Sequence, residues 1–234
     1  MRKIAVIPAR GGSKRLPRKN IIPVQGNPII SYPIAAAKES GLFDDVIVST
    51  EDAEIEEIAL KYGAKVLKRP ADLAEDTATV VQVCRHVLES FDVENRPDCF
   101  CCIYATAVFL QPRDLLQSFE ILTNPPEPDF VMGVSDYNLP PVQALEEKDG
   151  FLQYKWPEYE GMQSQFYPQL SASNGTLYWA RTRAFLKTLS FYGHRLKGYK
   201  TPRIRAVDLD TREDLELVEI IAESLIQENT EEKK

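Results

Sequence analysis

The chain alternates short, β-rich apolar runs with longer segments of helical periodicity. The apolar runs are KIAVIPA at 3–9, DDVIVST at 44–50, KVLKRP at 65–70 and DCFCCIYAT at 98–106. Segments with helical spacing follow at 28–41, 51–64, 77–91 and 113–123. Strands separated by helices of this length form right-handed βαβ units on a parallel sheet that is buried on both faces. The sequence therefore predicts an α/β fold with a mostly parallel, doubly wound sheet.

The alternation fails between about 136 and 173, in a stretch rich in Pro, Tyr and Gln. Polar and apolar residues alternate there around VQALEE and FLQYKW, as they do in hairpin strands. A structureless loop of this length is uncommon inside a compact domain. We therefore predict a single domain over 1–234 with an inserted hairpin lobe at about 136–173.

Regular elements are expected again after the insertion. GTLYWAR at 175–181 is predicted to be a strand, 182–189 a short helix, and PRIRAVDL at 202–209 a further strand. A last helix should begin at Thr211 with the capping box TRED, and the tail NTEEKK should fray. Thr50 and Asp76 are expected to cap the helices that follow them, and for Asp76 we rank capping ahead of catalysis.

Charge and composition argue against several classes of protein. The formal net charge is -7, whereas general nucleic-acid binding normally requires a basic domain or stripe, so any anionic partner must be held locally. The apolar run at the N-terminus is far shorter than the roughly 20 residues of a membrane span, and we expect a cytoplasmic protein without membrane or nucleic-acid partners. The four cysteines, Cys84, Cys99, Cys101 and Cys102, lack CxxC spacing and are predicted to be buried, reduced thiols.

Positive charge is concentrated in one loop, IPARGGSKRLPRKN at 7–20, which follows the first strand. Ligands of open parallel sheets bind outside the carboxyl ends of the strands. Gly11 and Gly12 permit a sharp turn with bare backbone N–H groups, and five cations can bind phosphate oxygens: Arg10, Lys14, Arg15, Arg18 and Lys19. The spacing matches neither GxxxxGK[ST] nor GxGxxG. The loop suits a triphosphate, and a solvated basic loop would have the same composition.

Four ordered blocks resemble the acylneuraminate cytidylyltransferases, the CMP-nonulosonic acid synthetases. They are IPARGGSKRLPRKNI at 7–21, KRPADLAEDTATV at 68–80, SNGTLYW at 173–179 and VDLDTREDLELVE at 207–219. The resemblance covers nearly the whole chain. It implies a Rossmann-like nucleotidyltransferase core whose inserted lobe reaches the neighbouring subunit of a homodimer. The implied reaction is attack of the anomeric hydroxyl of a nine-carbon α-keto sugar acid on the α-phosphorus of CTP, which releases pyrophosphate.

The resemblance also assigns the nucleotide contacts. The motif positions that bind CTP are Arg10, Gly11, Gly12, Ser13, Lys14, Lys19 and Asn20. Because nucleotidyl transfer depends on neutralising charge, we expect Lys19 near the α-phosphate, and Arg10 and Lys14 near the β- and γ-phosphates, as catalytic cations. Arg69 and Ala78 match positions that face the cytosine, and a surface ion pair is the alternative for Arg69.

Asp208 and Asp210 are the predicted ligands of Mg²⁺. At the end of the strand expected at 202–209 the two side chains would alternate and share one face, and Mg²⁺ prefers carboxylate oxygens. The alternative is an N-cap region in which Asp210 merely helps Thr211 to start the helix. Asp208 is also a candidate for orienting or deprotonating the sugar hydroxyl.

The block IYATAVF at 103–109 bears on the identity of the acceptor. Sialate-activating relatives carry LQPTSP here, whereas YATA, like SQFYP at 164–168, resembles pseudaminic acid cytidylyltransferases; SNGTLYW mixes both subgroups. The candidate sugar contacts are Tyr104, Thr106, Gln143, Gln165 and Asn174, although Tyr104 is equally suited to being a core aromatic. Pseudaminic acid is the predicted acceptor. Legionaminic acid, sialic acid and a catalytically degenerate nucleotide-binding scaffold, favoured by Tyr104 and Val80, are the alternatives.

Overall fold

The computed structural model describes residues 1–231, with side chains as far as residue 225. The strands are β1 Lys3–Pro8, β2 Pro23–Val24, β3 Asn27–Pro28, β4 Asp45–Thr50, β5 Lys65–Lys68, β6 Cys99–Ile103, β7 Phe130–Asp136, β8 Leu145–Lys148, β9 Phe151–Tyr154, β10 Ser171–Arg181 and β11 Leu196–Lys200. The α-helices are α1 Ser31–Glu39, α2 Ala53–Lys61, α3 Val80–Glu89, α4 Pro112–Thr123, α5 Thr182–Thr188 and α6 Arg212–Glu231. The side chains of the predicted frayed tail at 229–234, and all of 232–234, lie outside the described residues.

Seven strands form one sheet in the order β11-β7-β10-β6-β1-β4-β5. β1 runs parallel to β4 and β6, β4 to β5, and β7 to β11, while β10 is antiparallel to both of its neighbours. Helices α1, α2 and α4 pack on one face through Ile34, Ile55 and Leu115, and α3 and α5 pack on the other through Val87 and Phe185. The predicted mostly parallel, doubly wound sheet is confirmed.

Three of the four cysteines lie on β6 and the fourth, Cys84, on α3, and all four are free, buried thiols, as predicted. β6 is buried along its whole length because helices cover both faces of the sheet. Trp179 on β10 is fully buried, and its indole Nε1 donates to Ser118 Oγ at 2.9 Å. Among the described residues, no helix is both long and apolar enough to cross a membrane.

Two of the predicted helix caps are wrong, because each helix begins later than expected. α2 begins at Ala53, and its cap is Asp52, whose carboxylate accepts from the N–H groups of Glu54 and Ile55 at 3.0 Å. α3 begins at Val80 and is capped by Thr79. The capping residue must lie directly before the first helical residue, which excludes Thr50 and Asp76. The capping box of Thr211 and Asp214 at the start of α6 is confirmed.

The strand predicted at 202–209 is also wrong. β11, at Leu196–Lys200, pairs with β7 at this edge of the sheet, and residues 203–205 form a 3-10 turn after Pro202. Proline cannot donate to a strand ladder, which favours an end to the strand at this point. Leu209 is instead buried in a separate apolar cluster with Phe109 and Val218.

The connection from β7 to β10 contains the antiparallel hairpin β8–β9. Asp149 and Gly150 form its turn with φ of 53° and 81°, the left-handed conformation that two-residue hairpin turns require. Large apolar side chains are exposed along this connection, among them Leu139, Leu145, Phe151, Leu152 and Phe166.

Candidate active site

A cleft made of two adjoining cavities opens at the carboxyl ends of β1, β4, β5 and β6. The first cavity, of about 260 Å³, is lined by Arg69, Ala78, Val80, Tyr104 and Thr106 among others. The second, of about 300 Å³, is lined by Ser13, Lys14, Arg15 and Asp210. The cavities share four residues, Arg10, Lys19, Asn20 and Asp76. Residues predicted from four distant parts of the sequence therefore lie around one continuous cleft.

The loop between β1 and β2 is held closed by Asn20. This side chain is 8% exposed, and its Nδ2 donates to the carbonyl oxygen of Arg10 at 2.8 Å. Lys19 and Asn20 lie in a 3-10 turn that aims the lysine at the cleft, where Lys19 lines both cavities. Asn20 therefore shapes the loop as well as lining the cleft.

The two glycines of the loop lie in different surroundings. The N–H of Gly11 donates to Glu51 Oε1 at 2.7 Å, so it is not bare as the sequence suggested. A Cβ on Gly11 would lie only 3.0 Å from Cγ of Asp52, and closer still to its Oδ2. A Cβ on Gly12 would meet no described atom within 4 Å. Gly11 is thus required by packing, whereas Gly12 faces open space.

Each of the five cations of the loop is paired with an acid. Asp76 binds Arg10 at 2.7 Å and also binds Lys14, while Asp210 binds Lys19 at 2.9 Å and Arg15 at 2.7 Å. These four cations lie around the second cavity, and their carboxylate partners are partly exposed. A triphosphate entering the cavity could replace those carboxylates as the counter-ion. Asp76 is therefore a partner of two loop cations and not a helix cap.

Arg18, in contrast, faces away from the cleft towards the start of α2. It binds Asp52 through both terminal nitrogens and also contacts Glu54. The bond to Asp52 raises the pKa of Arg18 above its usual value, and the same bond lowers the pKa of the Asp52 carboxyl despite its partial burial. Arg18 therefore anchors the loop to α2.

Arg69 is a buried donor at the base of the first cavity. Its Nη2 donates to the carbonyl oxygen of Ser49 at 2.6 Å and its Nη1 to that of Leu73 at 3.3 Å. Its buried Nε has no hydrogen-bond partner among the described residues and lies 3.9 Å from Glu51 Oε2. Burial, with a contribution from nearby Arg10, lowers the pKa of this guanidinium. The alternative of a surface ion pair is therefore wrong for Arg69.

Tyr104, Gly175 and Asp208 converge beside the first cavity. A Cβ on Gly175, whose φ is +65°, would lie 3.8 Å from Cδ2 of Tyr104 and 3.9 Å from Cγ of Asp208. The ring of Tyr104 lies 5.4 Å from that of Tyr178, whose hydroxyl is 2.7 Å from Ser173 Oγ. Burial raises the pKa of Tyr104 and keeps its hydroxyl protonated. The side chain is packed and also lines the cavity, so the two interpretations of Tyr104 are not exclusive.

Asp208 and Asp210 come together although the segment that carries them is not a strand. Burial, followed by the nearby charge of Asp210, raises the pKa of Asp208. Burial would likewise raise the pKa of Asp210, but bonds to Lys19 and Arg15 outweigh it and the net shift is downward. Among the described residues, no three His, Cys, Asp or Glu side chains form a metal-binding group. Two neighbouring carboxylates fit Mg²⁺ that takes its other ligands from phosphate and water.

The three remaining sugar candidates are dispersed. Asn174 is 7% exposed; its Oδ1 accepts from the N–H and hydroxyl of Thr176, and its Nδ2 has no partner among the described residues. Gln143 and Gln165 are exposed in the insertion, and Gln165 lines a different cavity of about 350 Å³. Within one protomer they do not line the cavity of Tyr104 and Thr106.

The sequence analysis missed the acids that organise the loop. Glu51 and Asp52 directly follow β4, which is parallel to β1. Because the carboxyl ends of parallel strands meet at one edge of a sheet, the sequence could have predicted that these acids lie beside the basic loop. Tyr178 was also missed, although it lies in the predicted strand GTLYWAR at 175–181. Its position on β10 opposite Cys102 of β6 depends on strand register, which the sequence does not reveal.

Comparison with known proteins agrees with the fold. The sequence model of the cytidylyltransferase family matches residues 4–232. Pseudaminic acid cytidylyltransferase of Campylobacter jejuni is 35% identical over 226 residues, which cover 94% of this chain and 96% of the relative. CMP-N,N'-diacetyllegionaminic acid synthase of Legionella pneumophila is 30% identical, covering 95% and 97%. The solved structure of CMP:2-keto-3-deoxy-manno-octonic acid synthetase complexed with CTP has a TM-score of 0.70 at 16% identity, covering 96% of this chain and 99% of that chain, a likeness in fold.

Proposed function

The chain belongs to the cytidylyltransferase family, a family of CTP-using nucleotidyltransferases, and we propose that it transfers CMP from CTP to the anomeric hydroxyl of pseudaminic acid. Pyrophosphate is the second product. The observation that carries this proposal is the continuous cleft, which has a buried arginine in one cavity and a ring of cations around the other. A nucleoside triphosphate requires that combination of a base pocket and a phosphate pocket.

In the proposed complex the cytosine lies in the first cavity, against Arg69 and Ala78. The triphosphate then extends into the second cavity along Arg10, Lys14 and Lys19. Its negative charges displace the partly exposed carboxylate of Asp76 from its two cations, because a charged phosphate is a stronger acceptor than a solvated carboxylate at this distance. Ser13 completes the phosphate pocket, and Gly12 next to it carries no side chain that could narrow the entrance.

Lys19 is positioned for the α-phosphate because it lines both cavities. Stabilisation of the charge that develops there, and on the departing pyrophosphate, supplies most of the catalysis in reactions of this type. Asp208, an exposed carboxylate beside Tyr104, is the group that we assign to orienting or deprotonating the sugar hydroxyl. Tyr104 and Thr106 line the part of the first cavity that the sugar must then occupy.

We further propose that Asp208 and Asp210 hold Mg²⁺. Their carboxylate oxygens match the ligand preference of Mg²⁺. A bound Mg²⁺ would neutralise phosphate charge. Asp210 already binds Lys19, which brings the candidate metal ligands next to the candidate α-phosphate ligand. Replacing Asp210 with asparagine should sharply reduce turnover, whereas Asp92→Asn, an exposed acid beyond the far end of α3, should not.

Pseudaminic acid is the proposed acceptor because a protein of that activity is 35% identical over nearly the whole chain. Tyr104 in YATA and the SQFYP stretch support the same subgroup. Legionaminic acid is the competing acceptor, since a legionaminic acid synthase is 30% identical. Sialic acid is the third, and a protein that binds CTP without turnover is the alternative outside catalysis.

We also propose that the enzyme is a homodimer and acts in the cytoplasm, where CTP is available. Exposed apolar residues of the insertion, such as Phe151 at 78% exposure, need a partner surface in solution. Gln143 and Gln165 lie away from the cleft of their own protomer. In a dimer in which a second copy packs on the insertion, they would contact the sugar in the cleft of that copy. Light scattering should give twice the chain mass, and a Phe151→Ser, Leu152→Ser variant should be a monomer; a monomeric parent protein would contradict this proposal.

The decisive experiment is an acceptor panel. Purified protein, CTP and Mg²⁺ are mixed separately with pseudaminic, legionaminic and sialic acid, and CMP-sugars are identified by mass spectrometry. Pseudaminic acid should give the largest kcat/KM. A larger value for another sugar would correct the acceptor, and tight CTP binding by calorimetry with no product from any sugar would instead favour the non-catalytic scaffold.

A further inference from the structure

The segment 206–210, which carries the two catalytic-site carboxylates, is not held by the sheet. Among the described residues, no strand pairs with it. At its far end, the N–H of Asp210 donates to the α6 capping residue Asp214 at 2.9 Å, and Leu209 is completely buried in the apolar cluster with Phe109. Because no described strand hydrogen-bonds to this segment, another contact must hold the end that follows residue 205.

Arg205 supplies that contact through a buried ion pair. Arg205 is 7% exposed and Asp114, near the start of α4, is 1% exposed. The pair is bidentate, with Nη1 to Oδ2 at 2.5 Å and Nη2 to Oδ1 at 3.0 Å. Asp114 also accepts from the hydroxyl of Tyr199 at 2.7 Å and from the N–H of Gln111 at 2.9 Å. With four hydrogen bonds on its two oxygens, Asp114 fixes the guanidinium in one orientation.

The same guanidinium also contacts the loop that follows β6. Nη1 of Arg205 donates to the carbonyl oxygen of Phe109 at 3.3 Å, at the end of the loop that begins with Tyr104. Phe109 in turn packs in the cluster that contains Leu209. One buried arginine thus joins the loop of Tyr104 and Thr106, the start of α4 and the acidic segment.

We infer that Arg205 is a positioning residue that sets the place of the Asp208 and Asp210 carboxylates relative to the Tyr104 loop. The inference rests on the proposed function of these carboxylates as metal ligands. Arg205 itself does not line either cavity of the cleft, so it acts only through the segment that follows it. Groups that orient metal ligands typically change metal affinity or activity by about 10- to 100-fold when they are replaced.

The test compares Arg205→Lys with Tyr199→Phe. Lysine keeps the charge but cannot bind Asp114 through two nitrogens while also reaching Phe109. Tyr199→Phe removes one hydrogen bond from the same carboxylate and leaves Arg205 in place, so it controls for loss of stability. Calorimetry measures Mg²⁺ binding to the CTP-loaded protein without acceptor, and CTP binding without metal. Kinetics with the best acceptor then separate kcat from KM for CTP.

Arg205→Lys should weaken Mg²⁺ binding and lower kcat by about 10-fold or more while CTP affinity without metal stays unchanged. Tyr199→Phe should leave Mg²⁺ affinity unchanged even if it melts at a lower temperature. Asp114→Glu changes the partner of the same guanidinium and so displaces it. This variant should show the same selective loss of Mg²⁺ binding and kcat. Equal effects of Arg205→Lys and Tyr199→Phe on Mg²⁺ affinity, or unfolding of both Arg205→Lys and Asp114→Glu, would overturn the inference. If the parent protein makes no CMP-sugar, the proposed function fails, and the Mg²⁺ measurement still decides the role of Arg205.

Discussion

The two neighbouring glycines of the basic loop should respond differently to alanine, and the difference can be worked out from their surroundings. A methyl group on Gly11 would lie 3.0 Å from Cγ and 3.1 Å from Cβ of Asp52, inside normal contact distances. Asp52 would have to rotate away. A methyl group on Gly12 meets no described atom within 4 Å, and its φ is not in the left-handed region.

The expected cost of Gly11→Ala follows from what Asp52 would lose. Its carboxylate caps α2 through two N–H groups at 3.0 Å, and loss of such a cap costs about 0.5–2 kcal/mol. It also binds Arg18, a partly exposed pair that contributes about 0.2–1 kcal/mol. The free energy of unfolding should therefore fall by about 1–3 kcal/mol, which for a chain of this size lowers the melting temperature by about 2–12 °C.

Thermal melting of Gly11→Ala, Gly12→Ala and the parent protein measures this directly, with calorimetric titration of CTP as the second readout. Gly12→Ala should melt like the parent protein. It should bind CTP more weakly, because the added methyl group would stand next to Ser13, which lines the proposed phosphate pocket. The reasoning is refuted if Gly11→Ala keeps the parent melting temperature, or if both substitutions destabilise the protein equally.

Three further outcomes concern the interior. Asp114→Asn should cost about 3–5 kcal/mol near neutral pH, because it leaves Arg205 buried without its counter-ion. Burial alone would raise the pKa of Asp114, but its bonds to Arg205 and Tyr199 lower it, so this stabilisation is present above about pH 4 and is lost as the pH falls through the folded-state pKa. Urea unfolding at neutral and acid pH should therefore show that the difference in free energy of unfolding between parent and variant becomes smaller in acid. A difference that stays constant with pH would contradict the assignment. Ser118→Ala should lower the free energy of unfolding by about 1–3 kcal/mol, since the indole N–H of Trp179 then lacks an acceptor; an unchanged urea midpoint would argue against that bond. The thiols should resist a disulfide reagent until the protein unfolds, because all four are buried and burial raises the pKa of Cys99 to about 11; rapid labelling of the native protein would disprove it.

The alternation of strands and helices was predictable because it depends on local periodicity. Each buried strand of the parallel sheet is a continuous apolar run, and each helix that follows has a 3.6-residue pattern. The helix caps were missed by two and three residues because several Ser, Thr and Asp side chains near each start are equally suited as caps. The strand at 202–209 was wrongly predicted because its apolar alternation matches β-structure, while the edge of the sheet beside β7 is occupied by β11.

Much of the candidate site followed from residue type and order along the chain. Gly11, Lys14 and Lys19 indicated a phosphate loop because small residues and cations are what a triphosphate requires. Their counter-ions were not predictable, since Asp76 and Asp210 are distant in sequence from the cations that they bind. The five cations of the loop are also equivalent in composition, and only the structure separates Arg18, which binds α2, from Arg10, which faces the cleft.

By itself, therefore, the sequence determined the α/β architecture, the basic loop and the family, because these depend on local pattern and on the order of short blocks. The tertiary structure alone decided which acid neutralises each cation. It also decided where the segment of Asp208 and Asp210, which is not a strand, lies beside the cleft. The physical reason is that these contacts join segments up to 191 residues apart, as Lys19 and Asp210 do. Their distances are set by how buried elements such as Leu209 and the Arg205–Asp114 pair pack, and not by the residues next to them in the chain.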